Sequence, residues 1–290
     1  MKLRNNNLFD SARKLALALG SSLALGLLTP AQATVLFGIT GDGGAPSETM
    51  FTIDKTTAAA TFFLTLGAGA DGETIGFNSA DGRMYHASGR LGDQVWESIN
   101  LSVPAVATSA ALDTSDEILA ITRNSSTGTF LASDRDDVLY SITAAGVAIV
   151  IGSTPENLKG LAFVFGKLYG AAVFDNILYE LNPLDGSVIS SVDVTMQGFS
   201  VNGLHGLATD PDTGLLYAIV RDREQFGPRH LATINPTTGI ASDIGVISGA
   251  SGFAGIAFGP GTTAVPQPAT LALLTLGLAG LAFSSRCTKA

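Results

Sequence analysis

The sequence predicts an all-β fold: a β-propeller of five four-stranded blades, closed by the N-terminal strand and flanked by two terminal hydrophobic helices. Three observations carry this prediction. A short anchor pattern recurs along the chain. A hairpin pattern follows each anchor by about 20 residues, and a strand missing from the last repeat stands ahead of the first. Self-similarity at a fixed period is the sequence mark of a repeat architecture.

The anchor is an aromatic or aliphatic residue, a short gap, then Ile or Leu followed by a turn-former. It reads "MFTID", "VWESIN", "LYSIT", "LYELN" and "LATIN", with Ile53, Ile99, Ile142, Leu181 and Ile234 as the anchoring residues. Their separations are 46, 43, 39 and 53, a unit of about 45 residues. The second pattern reads "TIGFNSADGRMYHA", "EILAITRNSSTGTFLA", "GLAFVFGKLYGA", "GLATDPDTGLLYAI" and "GIAFGPGTT". Each holds an apolar strand and a Gly, Asp, Asn or Pro turn; all but the last continue into a second strand. In "DPDTG" the Asp side chains bond local amides and Gly214 takes positive φ. Another turn and strand lie between the patterns, as in "NPLDGSVISSVDV" and "NPTTGIASDIGVI". Four short strands per unit make a propeller blade.

The last unit lacks its "LYA" strand, and "VLFGIT" (Val35 to Thr40) has the missing character. A strand exchanged between the two ends closes the ring and removes both edges. Six blades are the main alternative, should the long 182–231 span hide a degenerate unit. A β-sandwich is the other, but it does not predict a displaced strand. Glycine numbers 34 of 290 residues, as the many tight turns require, and charged residues are only 14%, as strands buried on two faces require.

Residues 1–33 read as a signal peptide. Lys2, Arg4, Arg13 and Lys14 precede an apolar stretch from Leu15 to Leu28, and "TPAQA" places Ala31 and Ala33 at a cleavage site after Ala33. Fourteen apolar and small residues fall short of a membrane span, which needs about 20. The propeller domain is set at 34–263 and a terminal segment at 264–290. Residues 34–264 keep ten basic and 24 acidic residues, a net charge of −14. Such a body repels phosphate backbones, so no nucleic-acid partner is expected. The single cysteine, Cys287, lies in the terminal tail, so the body has neither disulfides nor a thiol mechanism.

Candidate chemistry is sparse. His86, His205 and His230 fall at different places in their units, unlike a set converging on a metal. His205 just precedes a strand, where it faces the channel mouth or serves structurally. "TDPDTG" (Thr209 to Gly214) resembles part of a calcium loop but lacks a following carboxylate until Asp222, so the hairpin reading is preferred. "SDRDD" (Ser133 to Asp137) and "VRDREQFGPRH" (Val220 to His230) are the strongest charge clusters. The second offers Arg221, Arg223 and Arg229 to an anionic ligand, unless Asp222 and Glu224 pair with them. Hydrolase and phosphate-binding motifs are missing, and no catalytic residue or cofactor is predicted.

The terminal segment has three parts. "VPQP" (Val265, Pro266, Gln267, Pro268) blocks helix formation, Ala269 to Phe283 is an uncharged run rich in Leu and Ala, and Arg286 and Lys289 follow. This arrangement resembles the C-terminal sorting signal of PEP-CTERM proteins. The resemblance covers the last 26 residues. It implies a Gram-negative exporter, an exosortase-type membrane protease as partner, and a membrane stage through the C-terminal helix. It further implies release or anchoring at the cell surface, and association with extracellular polysaccharide and biofilm. On this resemblance Val265, Pro266, Gln267 and Pro268 occupy the recognition motif, with Gln267 where the family usually has Glu. The tail "SSRCTK" is also poorer in Arg than the family's. The function read from this is a non-enzymatic binding, adhesive or scaffold module. The alternative is a hydrolase or lyase acting on a matrix polysaccharide or a small ester at the channel.

Overall fold

A computed structural model describes residues 34–66, 72–198, 200–222 and 228–261. The signal-peptide and sorting-segment expectations, with Ala31, Ala33 and Val265 to Pro268, lie outside the described residues, as do both expected terminal helices. Within the described residues the chain forms five sheets, antiparallel but for one two-residue parallel pairing, and no helix.

Blade 1 is composite. Its innermost strand is β21 (Ser251–Pro260), followed outward by β1 (Thr34–Ala45), β2 (Thr49–Ile53) and β3 (Ala60–Thr65). Blade 2 runs from β4 (Gly72–Asn78) through β5 (Arg83–Ser88) and β6 (Val95–Asn100) to β7 (Ala105–Ala111). Blade 3 holds β8 (Ile118–Asn124), β9 (Thr129–Asp134), β10 (Val138–Ile142) and β11 (Ala148–Ser153). Blade 4 holds β12 (Leu158–Val164), β13 (Lys167–Ala172), β14 (Ile177–Leu181) and β15 (Val188–Asp193). Blade 5 holds β17 (Val201–Thr209), β18 (Leu216–Asp222), β19 (Arg229–Ile234) and β20 (Ile240–Val246), with the two-residue β16 (Thr195–Met196) added parallel to its outer edge. Among the described residues the 182–231 span therefore holds β15, β16, β17, β18 and the start of β19, without a sixth blade.

The innermost strands touch in the ring order β4, β8, β12, β17, β21 and back to β4, around a central channel. The expected exchange of strands is present: β1 pairs with β21 from Thr34↔Pro260 to Ala45↔Ser251. It differs from the sequence reading in direction. The blade boundary falls before the inner strand, so the C-terminal strand completes the first blade rather than the N-terminal strand the last.

Buried side chains form five clusters among the described residues, each between two neighbouring blades. Strand alternation explains this. Leu36 enters the core between blades 5 and 1, while Phe37, one residue on, enters the core between blades 1 and 2. Phe130 and Leu131 divide likewise between the two sides of blade 3. Both faces of these strands are dry, so they read as near-continuous apolar runs. Burying each such side chain contributes about 1.5–3 kcal/mol, which lets a body without cross-links hold together.

Candidate functional site

The inner strands run side by side around the channel, and their C-terminal halves open into a cavity of about 300 Å³. Every blade contributes. Ile75, Ile121, Leu161, Leu207 and Ile256 supply apolar surface from the five inner strands in turn. Ser79, Thr122, Ser125 and Thr209 add hydroxyls, and Arg123 adds a cation. Among the described residues the lining holds no carboxylate and no imidazole.

Arg123 is held firmly. Its Nε donates to Asn78 Oδ1 at 2.8 Å, and its Nη1 donates to the carbonyls of Asn124 and Thr129 at 2.8 and 2.9 Å. The guanidinium lies over the Phe130 ring at 5.6 Å. Asn78 in turn donates to Asp81, which also accepts the Tyr85 hydroxyl at 2.7 Å. Burial, then this carboxylate partner, pushes the Tyr85 phenol up to about 12. A rigid, largely apolar mouth with a few hydroxyls is chemistry suited to holding a ligand.

The sequence-predicted candidates do not meet there. His86 is buried on β5 with Nδ1 at 3.1 Å from Glu97 Oε2, and His230 on β19 lies 3.1 Å from Asp243 Oδ1. His205 lies inside β17, not ahead of it. It pairs in register with Ile219, a member of the core between blades 5 and 1, so it faces that core rather than the channel mouth. Burial first, and then the positive charges of Arg229, Lys159 and Arg221, hold its pKa well below 6.5.

The "TDPDTG" carboxylates have protein partners. Asp210 accepts from Lys55 Nζ at 2.7 Å and from the Asp212 amide at 2.9 Å, and Asp212 accepts from Thr34 Oγ1 at 2.6 Å. This is a capped hairpin that ties the first strand to blade 5. Among the described residues no three metal-ligating side chains come together. In "SDRDD", buried Asp134 accepts from Ser115, Tyr140 and two backbone amides, and Arg135 pairs with Glu117 at 3.0 Å. Among the described residues Arg221 pairs with no carboxylate; it donates twice to the Asn202 carbonyl, at 3.0 and 2.8 Å. Arg223 and Glu224 lie outside the described residues. Sequence reasoning pointed to the channel but not to the residues that line its mouth, because these are ordinary strand residues with no motif of their own.

Residues 264–286 match the family described as the PEP-CTERM protein-sorting motif. No curated protein sequence matches the chain. Two of the solved structures that share the fold are similar over most of their length. One is a chain from the crystal structure of a nidogen/laminin complex, at 14% identity and a TM-score of 0.51, covering 78% of this chain and 98% of that one. The other is a protein of unknown function from Bacteroides caccae, also at 14% identity and a TM-score of 0.51, covering 80% and 99%. At such identity the likeness concerns the fold alone. A five-bladed β-propeller body followed by an exosortase recognition signal is the make-up of an exported protein, and this chain carries the PEP-CTERM sorting motif in its C-terminal segment.

Proposed function

We propose that the chain is an exported, surface-targeted binding module of a Gram-negative bacterium, acting as an adhesive or scaffold in an extracellular polysaccharide matrix without catalysis. In this reading the signal peptide ends at Ala33. An exosortase-type protease recognises Val265, Pro266, Gln267 and Pro268, and the apolar segment holds the chain in the inner membrane until processing. One observation carries the binding role: the channel mouth gathers hydroxyls, apolar groups and an already engaged arginine from all five blades. Catalysis of glycoside cleavage would ask for paired carboxylates there.

The test of the activity uses the full chain and matrix polysaccharide from its own host. Retention on the polysaccharide without new reducing ends is expected; steady release of reducing ends would overturn the non-enzymatic reading. The test of targeting is fractionation of the native host with Pro266→Ala and Pro268→Ala combined. The variant should stay in the membrane fraction at the mass of a chain cleaved only at its N-terminus. Unchanged mass and location would refute the sorting role of the motif.

A further inference from the structure

The hairpins joining inner to second strands follow one plan in three blades. In blades 2, 3 and 5 an Asn or Asp side chain caps the turn from its first residue (Asn78, Asn124 and Asp210), and glycine takes the positive φ (Gly82, Gly128 and Gly214). Blade 4 departs from it. Between Val164 and Lys167 only Phe165 and Gly166 remain, with φ of 48° and 83°. Two successive positive φ values make a turn that favours Asn-Gly or Asp-Gly, and a phenylalanine at its first position breaks that rule. Phe165 is also 90% exposed, so folding gains little from burying it. A residue costly to backbone and solvent alike marks a place where function overrides local preference.

Phe165 stands at the edge of a groove of about 760 Å³ between blades 4 and 5. Its ring tip rests against the neighbouring blade: Cζ lies 2.9 Å from where a Cβ on Gly214 would stand. Glycine at 214 thus admits the ring. Leu215 and Ile240, both exposed, extend the apolar surface. Thr233 and Ser242, opposite each other in register, line the groove with the Asn235 amide and Thr238. The charged residue in the lining, Lys167, is paired with Glu180 at 2.9 Å. The groove therefore offers an aromatic face and a rim of neutral hydroxyls and amide on a body of net charge −14.

We infer that this groove binds a neutral hexopyranose unit of a polysaccharide, stacked on Phe165 with its hydroxyls bonded to the rim. A pyranose has an apolar C–H face and a polar hydroxyl edge, which match the two surfaces. A polyanion finds no unpaired cation here and meets a repelling field. An extended peptide would need an open strand edge to pair with. Where β20 borders the groove that edge is taken at Ile240 and Ala241, which already pair with Thr195 and Met196 of β16. The inference rests on the binding role proposed above and assigns it a second place on the molecule, apart from the channel mouth.

The test uses the full chain in a detergent without a sugar headgroup, titrated calorimetrically with cellohexaose, laminarihexaose, maltohexaose and an oligogalacturonate of the same length. At least one neutral hexamer should bind and the oligogalacturonate should not. Phe165→Asn should weaken that binding by about tenfold or more, while Phe165→Trp retains it. Because Asn suits the left-handed turn, Phe165→Asn should also raise Tm by about 2–4 °C. Neutral hexamers that bind Phe165→Asn as well as the parent would overturn the groove and leave the binding function standing. Failure of all hexamers, together with failure on the host polysaccharide, would sink both. Preference for oligogalacturonate, a fall in Tm on Phe165→Asn, or a concentration-dependent dimer lost in Phe165→Asn would each overturn the inference.

Discussion

At the level of single residues, His205 is the sharpest liability in the fold. It is 3% exposed, and among the described residues both ring nitrogens lack a hydrogen-bond partner. Burial, reinforced by Arg229, Lys159 and Arg221, keeps the imidazole neutral far below its ordinary value of 6.5. The unfolded chain takes up a proton below that value and the folded chain does not. Stability is therefore complete above pH 6.5 and falls as the pH drops beneath it, by about 1.4 kcal/mol per pH unit until the folded-state pKa is reached. The Asp210 contribution belongs to a lower window. Burial raises its pKa, but hydrogen bonds from Lys55 and the Asp212 amide bring it net below 3.8, so its stabilisation is lost only as pH falls through and below that value. His205→Leu removes both the titration and the orphaned nitrogens. Thermal melts from pH 7 to pH 5 should show the parent losing Tm steeply and the variant much less, with the variant the more stable at pH 5. Equal slopes would place the acid sensitivity elsewhere.

Among elements, the inner strands set the tightest tolerances. A Cβ on Gly160 of β12 would stand 2.7 Å from the Leu207 amide nitrogen of β17, and one on Gly206 of β17 would stand 2.9 Å from the Ile256 nitrogen of β21. These are backbone contacts, so no side chain can turn aside to make room. Gly160→Val should cost about 1–3 kcal/mol, the range for overpacking, and lower Tm by about 3–10 °C. Gly43→Val is the control, because nothing lies within 4 Å of its would-be Cβ. Equal melts for the two variants would mean that the channel wall gives way more easily than its geometry implies. The strands themselves were legible in the sequence. Ile53, Ile99, Ile142, Leu181 and Ile234 are all buried near the ends of third strands or, in blade 1, of β2. Period and alternation reveal such positions because both follow from one chain at a time. Contacts between blades left no comparable trace. Gly186 packs against the Ser153 carbonyl of the preceding blade, yet in the sequence it reads as an ordinary turn glycine. Phe165 was equally silent, since its turn lacks the Asn or Asp that announces one.

For the whole molecule, what matters is how the ring is shut. Thr34 and Pro260 are register partners, so the two ends of the body meet at one hairpin position that the chain leaves open. Around that junction Lys55 bonds Asp210 and lies over Phe258, and Leu36, Phe51, Tyr217 and Phe253 pack together from blades 1 and 5. The sequence disclosed this closure because a strand was absent from one end and surplus at the other. It did not disclose that the exchanged pair belongs to the first blade, since the repeat alone does not say at which strand a sheet begins. If the break is only an accident of where the chain starts, moving it should be harmless. A permuted body with Pro260 joined to Thr34 by Ser-Ala-Asp-Gly, the linker found between Asn78 and Arg83, and opened between Asp113 and Thr114, should fold and melt cooperatively within a few degrees of the parent body. Deleting Val35–Thr40 removes the strand hydrogen-bonded to both β2 and β21, so that chain should lose its cooperative transition, read by circular dichroism. The pair of results separates connectivity from pairing. A permutant that fails to fold would tie stability to the native chain order, and a deletion that melts like the parent would mean that β1 does not hold the ring closed.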